Sequence, residues 1–135
     1  LLEKCPDFDV LLTAEAKSIP LCYEMAAISN KPYIIARKGL KVYVTHPISV
    51  TYRSITTQHE QSLYLSESDA ELIKGKHVLI VDDVISTGDS IKALESMVDL
   101  AGGTTVAKAA VLAEGDASTR TDIIFLEPLP LFPRT

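Results

Sequence analysis

Residues 77–90 read HVLIVDDVISTGDS. The run VLIV at 78–81 is aliphatic without a break and rich in β-branched residues, which favours a buried strand over a turn of helix. Two aspartates, Asp82 and Asp83, stand at its end, a turn of small and hydroxyl-bearing residues follows, and helix spacing resumes at Ser90. Strand, turn and helix in that order form half of a βαβ unit. The stretch therefore decides the fold class, provided the alternation recurs elsewhere in the chain.

The alternation recurs on both sides. Residues 8–13 (FDVLLT) predict a strand, and residues 20–29 (PLCYEMAAIS) carry helix spacing behind a proline suited to a first turn. Residues 33–37 (YIIAR) predict the next strand, and the basic segment RKGLK at 37–41 leaves its end. Residues 41–44 (KVYV) alternate and are expected to pair with 62–66 (SLYLS), leaving the polar stretch 49–61 between them as a long mobile loop. Ser68 and Glu71 have capping-box spacing for a brief helix ending near Gly75. Residues 90–100 place Ile91, Leu94 and Val98, with Ala101, on one helical face before the stop Gly102-Gly103. Residues 104–112 and 122–126 add two strands. Val-, Ile- and Leu-rich strands alternating with helices predict an α/β fold, an open, mostly parallel sheet with helices on both faces.

At 135 residues the chain is expected to form a single domain over 1–135. No apolar run approaches the ~20 residues needed to cross a bilayer, so no membrane partner is expected. A net charge of −5 argues against a general nucleic-acid surface, which needs clustered excess Lys and Arg. Cys5 and Cys22 have no zinc spacing and are expected to be reduced thiols in an intracellular protein, with a disulfide as the alternative. His46, His59 and His77 are dispersed, so no protein-built metal site is expected. The chain opens on Leu1 rather than methionine and is expected to be a portion of a longer one.

In an open parallel sheet, ligands gather outside the carboxyl ends of the strands, where Asp82 and Asp83 fall. Ser86, Thr87, Gly88, Asp89 and Ser90 then supply hydroxyl donors, a glycine that permits close backbone approach and the free N–H groups of a helix start. Carboxylates accept hydrogen bonds from sugar hydroxyls, and such a turn donates to phosphate. The polarity suits a ribose 5-phosphate. Two acids before a serine-rich cap are common in isolation, but strand, acids and turn in this order favour a ligand site.

VLIVDDVISTGDS at 78–90 resembles the 5-phosphoribosyl 1-pyrophosphate signature of the type I phosphoribosyltransferases. DVLLTAEAKSIPL at 9–21 is similar to the pyrophosphate loop of the adenine phosphoribosyltransferases, with Glu15, Ala16 and Lys17 at the acidic, small and basic positions. ARKGLK supplies Arg37 and Lys38 where those enzymes carry an Arg-Lys pair. The resemblance implies that Asp82 and Asp83 bind the ribose hydroxyls as the catalytic pair, and that residues 86–90 hold the 5-phosphate. It implies further that Ala16, Lys17, Arg37 and Lys38 handle the pyrophosphate. The activity implied is displacement of pyrophosphate by a nucleobase nitrogen, with a purine such as adenine as acceptor. Magnesium (Mg2+) bound mainly through the substrate, a homodimer and a cytoplasmic location come with it.

The likeness has gaps. Adenine-type enzymes carry a glutamate, an aromatic residue and a glycine in the mobile loop, and TYRSITTQHEQ at 51–61 has no such triplet. Glu60, Tyr52 and Ser54 lie near it without a fixed role. Asp89 stands where a glycine is common, and its side chain is expected to face solvent. The N-terminal segment that shapes the base pocket in relatives is expected to be missing. Two other functions compete: a module that senses the activated sugar without catalysis, and a signalling receiver domain, suggested by KHVLIVDD and TDIIFLEP. The receiver alternative would need Glu127 in place of its aspartate acceptor and too little chain follows.

Overall fold

The computed structural model describes residues 4–15, 18–38, 48–53, 60–85, 88–114 and 122–129. Its elements are β1 (Val10–Ala14), α1 (Ile19–Ser29), β2 (Tyr33–Ala36), β3 (Ile48–Arg53), β4 (Glu60–Leu65), α2 (Glu67–Ile73), β5 (His77–Ile85), α3 (Asp89–Ala101), β6 (Thr104–Glu114) and β7 (Ile124–Leu129). Five strands form one parallel sheet in the order β2-β1-β5-β6-β7, and β3 and β4 form a separate antiparallel pair. The expected α/β architecture is the one observed.

Alternation along the central strands sorts the core into two layers. Leu11, Leu79 and Val81 face α1 and bury against Cys22, Met25 and Ala26. Val10, Leu12, Val78 and Ile80 face the other way, onto Ile91, Leu94, Met97 and Val98 of α3. Each such side chain contributes about 1.5–3 kcal/mol when taken out of water, so the helices are held by the sheet more than by their own propensity. The covering elements lie on opposite faces because the two crossovers run in opposite directions: α1 leads from β1 outward to β2, and α3 leads from β5 outward to β6. The boundary between β1 and β5 is thus the switch point of the sheet, where parallel α/β folds leave a crevice.

Local signals explain the element ends. Pro20 occupies the first turn of α1, and Asn30 closes it in the left-handed region at φ 58°. Gly102 closes α3 at φ 85°, after which the Gly103 N–H donates to Val98 O at 2.9 Å. A Cβ on Gly103 would lie 2.6 Å from Ile73 Cγ2 and 2.8 Å from Ile73 O, so this position also needs glycine to let α2 close onto the end of α3.

Three expectations are corrected. The strand after Gly75 does not stop at Val81: β5 runs through both aspartates to Ile85, in register with β6 from Asp82↔Ala110 to Ile85↔Ala113. Strand pairing rather than side-chain polarity sets its end. Ile48–Arg53 pairs with the strand around Leu63, so much of the supposed loop 49–61 is strand; the expected partner KVYV at 41–44 lies outside the described residues. Ile48, Val50 and Tyr52 pack on the core while Ser49 and Thr51 are exposed, a period of two starting one residue before the polar stretch. The α2 cap is Ser66, whose extended backbone lets Oγ accept the Asp69 N–H at 3.2 Å, whereas Ser68 already lies inside the first turn.

The β3–β4 hairpin packs against α3 and, among the described residues, joins the main sheet at an isolated bridge. There the Arg37 N–H donates to Tyr64 O at 3.0 Å and the Tyr64 N–H donates to Arg37 O at 2.8 Å. Cys5 and Cys22 are not joined in a disulfide, and burial pushes the Cys22 thiol up to about 12, which disfavours the reactive thiolate. No helix among the described residues is long and apolar enough to cross a membrane.

Candidate functional site

The parallel registers bring the carboxyl ends of three strands to one edge. Ala14 pairs with Ala36, and Leu12 with Ile80, so the ends of β1 and β2 at Ala14 and Ala36 are level with Asp82, beyond which β5 continues to Ile85. Adjacent strands are about 4.8 Å apart, so the segment after β2 lies roughly 10 Å across the edge from the aspartates. Residues far apart in sequence, Glu15, Arg37 with Lys38, and Asp82 with Asp83, thus share one rim at the switch point.

The aspartates are held by the backbone that follows them. Asp82 Oδ1 accepts the Asp83 N–H at 2.8 Å, and Asp83 Oδ1 accepts the Val84 N–H at 2.9 Å. Asp82 continues the alternation toward the α3 face, and its Oδ2 is 3.5 Å from the Ser90 hydroxyl, a long contact. Both side chains are half-buried. Burial, and then the hydrogen bond to the Asp83 side chain, push the Asp82 carboxyl up to about 7, against help from the Asp83 N–H and Ser90. Two adjacent carboxylates in a partly desolvated site repel one another, so the Asp82 carboxyl holds its proton well above the usual carboxylate range.

After β5, Gly88 takes the left-handed conformation at φ 83°, which glycine alone adopts without strain, and it precedes the first helical residue Asp89. The amide ends of α3 therefore start directly beside Asp82. Ser86 and Thr87, between the strand and Gly88, lie outside the described residues, as do Ala16 and Lys17. Asp89 is half-buried rather than turned fully to solvent.

At the opposite side of the rim, Arg37 and Lys38 are exposed directly after β2. The Lys38 N–H donates to Glu15 Oε1 at 2.9 Å, and Arg37 Nη1 is 3.9 Å from Glu15 Oε2. The Glu15 N–H in turn donates to Ala36 O at 3.0 Å. Under the turn, the Thr13 hydroxyl donates to Val81 O at 2.7 Å and meets the Ser18 hydroxyl at 2.6 Å, with both residues buried.

One further residue joins the site by fold alone. Tyr52 on β3 packs half-buried on the core, and burial followed by the charges of Asp82 and Asp89 holds its phenol above the usual range. Glu60 stands at the start of β4, in register with Arg53. The relation of Tyr52 to the aspartates could not be read from spacing, because a hairpin packed against α3 creates it.

No group of three or more metal-ligating side chains converges among the described residues. A cleft of about 590 Å³ bordered by Phe8, Asp9, Ser29, Lys31 and His77 opens at the amino ends of the strands, the far edge from the aspartates. His77 pairs there with Asp9 at 3.5 Å.

A family model described as a phosphoribosyl transferase domain matches residues 6–125. The chain is 32% identical over 93 residues to the purine biosynthesis transcriptional repressor PurR of Bacillus subtilis, covering 69% of this chain and 32% of that protein. It is 34% identical over 101 residues to the adenine phosphoribosyltransferase of Petrotoga mobilis, covering 74% of this chain and 55% of the enzyme. It is 34% identical over 110 residues to the hypoxanthine/guanine phosphoribosyltransferase of Methanocella paludicola, covering 82% and 54%. The chain thus spans between a third and just over half of the length of these relatives. Among solved structures, adenine phosphoribosyltransferase from Thermoanaerobacter pseudethanolicus superposes with a TM-score of 0.79 at 23% identity, covering 93% of this chain and 73% of that one. That likeness concerns the fold.

Proposed function

The chain belongs to the phosphoribosyl transferase family, and from that premise we propose that it binds 5-phosphoribosyl 1-pyrophosphate at the β1–β5 switch point and transfers the phosphoribosyl group to a purine base. The observation that carries this is the Asp82–Asp83 pair on β5, backbone-fixed, with Gly88 and the α3 start coming next after the strand's end among the described residues. In this function the two carboxylates accept the ribose hydroxyls, and residues 86–90 with the α3 amides take the 5-phosphate. Arg37 and Lys38, roughly two strand spacings from the aspartates, receive the pyrophosphate together with Ala16 and Lys17.

The reaction forms a bond from a base nitrogen to the anomeric carbon and breaks the bond from that carbon to a pyrophosphate oxygen. Positive charge grows on the sugar meanwhile, and carboxylates held beside it stabilise that charge without forming a covalent bond. A divalent cation fits this donor set only if the substrate supplies most of its ligands, since Asp82 and Asp83 offer two carboxylates and little else converges among the described residues. Magnesium bound in that way neutralises charge on the leaving pyrophosphate. Adenine and hypoxanthine/guanine enzymes both stand among the relatives, which supports a purine acceptor. A cytoplasmic homodimer is part of the proposal, supported by exposed Tyr23, Ile28 and Tyr33 on α1 and the edge strand β2.

A second function, sensing of the activated sugar without turnover, is favoured by one feature: residues 54–59 between β3 and β4 read SITTQH and contain no carboxylate. The likeness to PurR, a transcriptional repressor, supports it too. One experiment separates the two. The protein is mixed with 5-phosphoribosyl 1-pyrophosphate, magnesium and adenine, hypoxanthine or guanine, and both sugar binding and pyrophosphate release are measured. Release above the no-protein rate supports transfer, binding without release supports the sensor, and the absence of both overturns the site.

A further inference from the structure

A carboxylate facing the segment meant to hold a polyanion is electrostatically unfavourable, and Glu15 is such a carboxylate. Its contacts suggest why it stands there. Parallel pairing of β1 with β2 ends at Ala14↔Ala36. Beyond it the Glu15 N–H donates to Ala36 O at 3.0 Å, which carries the ladder one step further. The next amide on the β2 side, that of Lys38, donates instead to Glu15 Oε1 at 2.9 Å, so a side-chain oxygen continues where the strand ladder has run out. The second oxygen, Oε2, lies 3.9 Å from Arg37 Nη1.

We propose that Glu15 is a positioning residue: its carboxylate fixes the backbone of Lys38 and the direction of Arg37, so that both cations face one anion held between the β1 and β2 ends. This rests on the proposal above that Arg37 and Lys38 meet the pyrophosphate of the substrate. The decisive contact is the short hydrogen bond to a backbone amide, while the ion pair is long and exposed and adds little. An amide oxygen at this position can still accept the Lys38 N–H, whereas a methyl group cannot.

The variants Glu15→Gln and Glu15→Ala separate hydrogen bonding from charge. Affinity for 5-phosphoribosyl 1-pyrophosphate with magnesium is measured by calorimetry beside the unaltered protein, and hydrogen exchange of the Lys38 amide is followed without ligand. Loss of a hydrogen bond that orders a charged contact is expected to weaken binding by Glu15→Ala about tenfold and to speed Lys38 exchange. Glu15→Gln is expected to bind within about twofold of the unaltered protein with slow exchange retained. If turnover is present, KM for the sugar rises in Glu15→Ala while kcat changes little. Equal or tighter binding by Glu15→Ala overturns the positioning role, and so does Glu15→Gln falling as far as Glu15→Ala. If the unaltered protein itself fails to bind the sugar, the site assignment fails and Glu15's role falls with it, an outcome distinct from the other two because there the parent protein still binds.

Discussion

The Thr13 hydroxyl donates to Val81 O at 2.7 Å, which ties the end of β1 to β5 one residue before Asp82. Its single proton is thereby used, so the 2.6 Å contact with Ser18 requires the Ser18 hydroxyl to be the donor, and the 3.4 Å contact from Ser18 to Ala14 O is secondary. The chain of hydroxyls locks the turn after β1 from beneath. Thr13→Val keeps the shape but leaves Ser18 without its acceptor in a buried site, at a cost of about 1–3 kcal/mol. Thr13→Ser should recover most of that stability. Chemical denaturation of the two variants checks this, and equal stability of Thr13→Val and the unaltered protein would refute it.

Replacing both aspartates tests the site most directly. Hydrogen bonds to charged acceptors contribute about 1.5–3 kcal/mol each, so Asp82→Asn with Asp83→Asn should lower affinity for 5-phosphoribosyl 1-pyrophosphate by a hundredfold or more and abolish transfer. Circular dichroism should be unchanged. Titration calorimetry with unaltered affinity in the double variant would rule out the ribose-binding role.

Asp82 also gives stability a pH dependence. Its carboxyl is raised from 3.8 to about 7 in the folded protein, so folding favours the protonated form. The associated stability is complete below about pH 4 and is lost as pH climbs through about 7. A shift of this size sets a ceiling of roughly 4 kcal/mol, which partial exposure trims to about 1–2 kcal/mol. Asp82→Asn should therefore melt about 3–6 °C above the unaltered protein at pH 8, with the gap closing toward pH 4. Scanning calorimetry at several pH values measures it, and a gap independent of pH would exclude the carboxyl as its source.

Gly103 offers a test of packing away from the site. An added Cβ meets the Ile73 backbone oxygen at 2.8 Å, and backbone yields less readily than a side-chain tip. Gly103→Ala should cost about 1–3 kcal/mol, read as an earlier midpoint in urea with phosphoribosyl binding retained in the folded fraction.

Much of this fold was legible because its determinants are local. Aliphatic runs at β1 and β5, Pro20 ahead of α1 and the glycine pair after α3 each encode an element within a few residues. Buried Ile91, Leu94, Val98 and Ala101 match the helical face read from spacing. The errors arose where pairing overrules composition. Asp82 and Asp83 remain in strand because β6 offers register partners as far as Ala113, and Ile48–Arg53 is strand because β4 lies beside it. Among candidate site residues, the acids and Gly88 were visible as a motif. Glu15 was visible only as a likeness, since its bond to Lys38 spans two strand ends and leaves no trace in spacing.

The bridge between Arg37 and Tyr64 joins two parts of the fold. Among the described residues the hairpin exchanges two reciprocal hydrogen bonds with the backbone of a residue whose side chain faces Glu15. Arg37 thus belongs to two sheets at once: its backbone is a seam to the hairpin while its guanidinium stands at the rim, so a change in the seam reaches the rim through one residue.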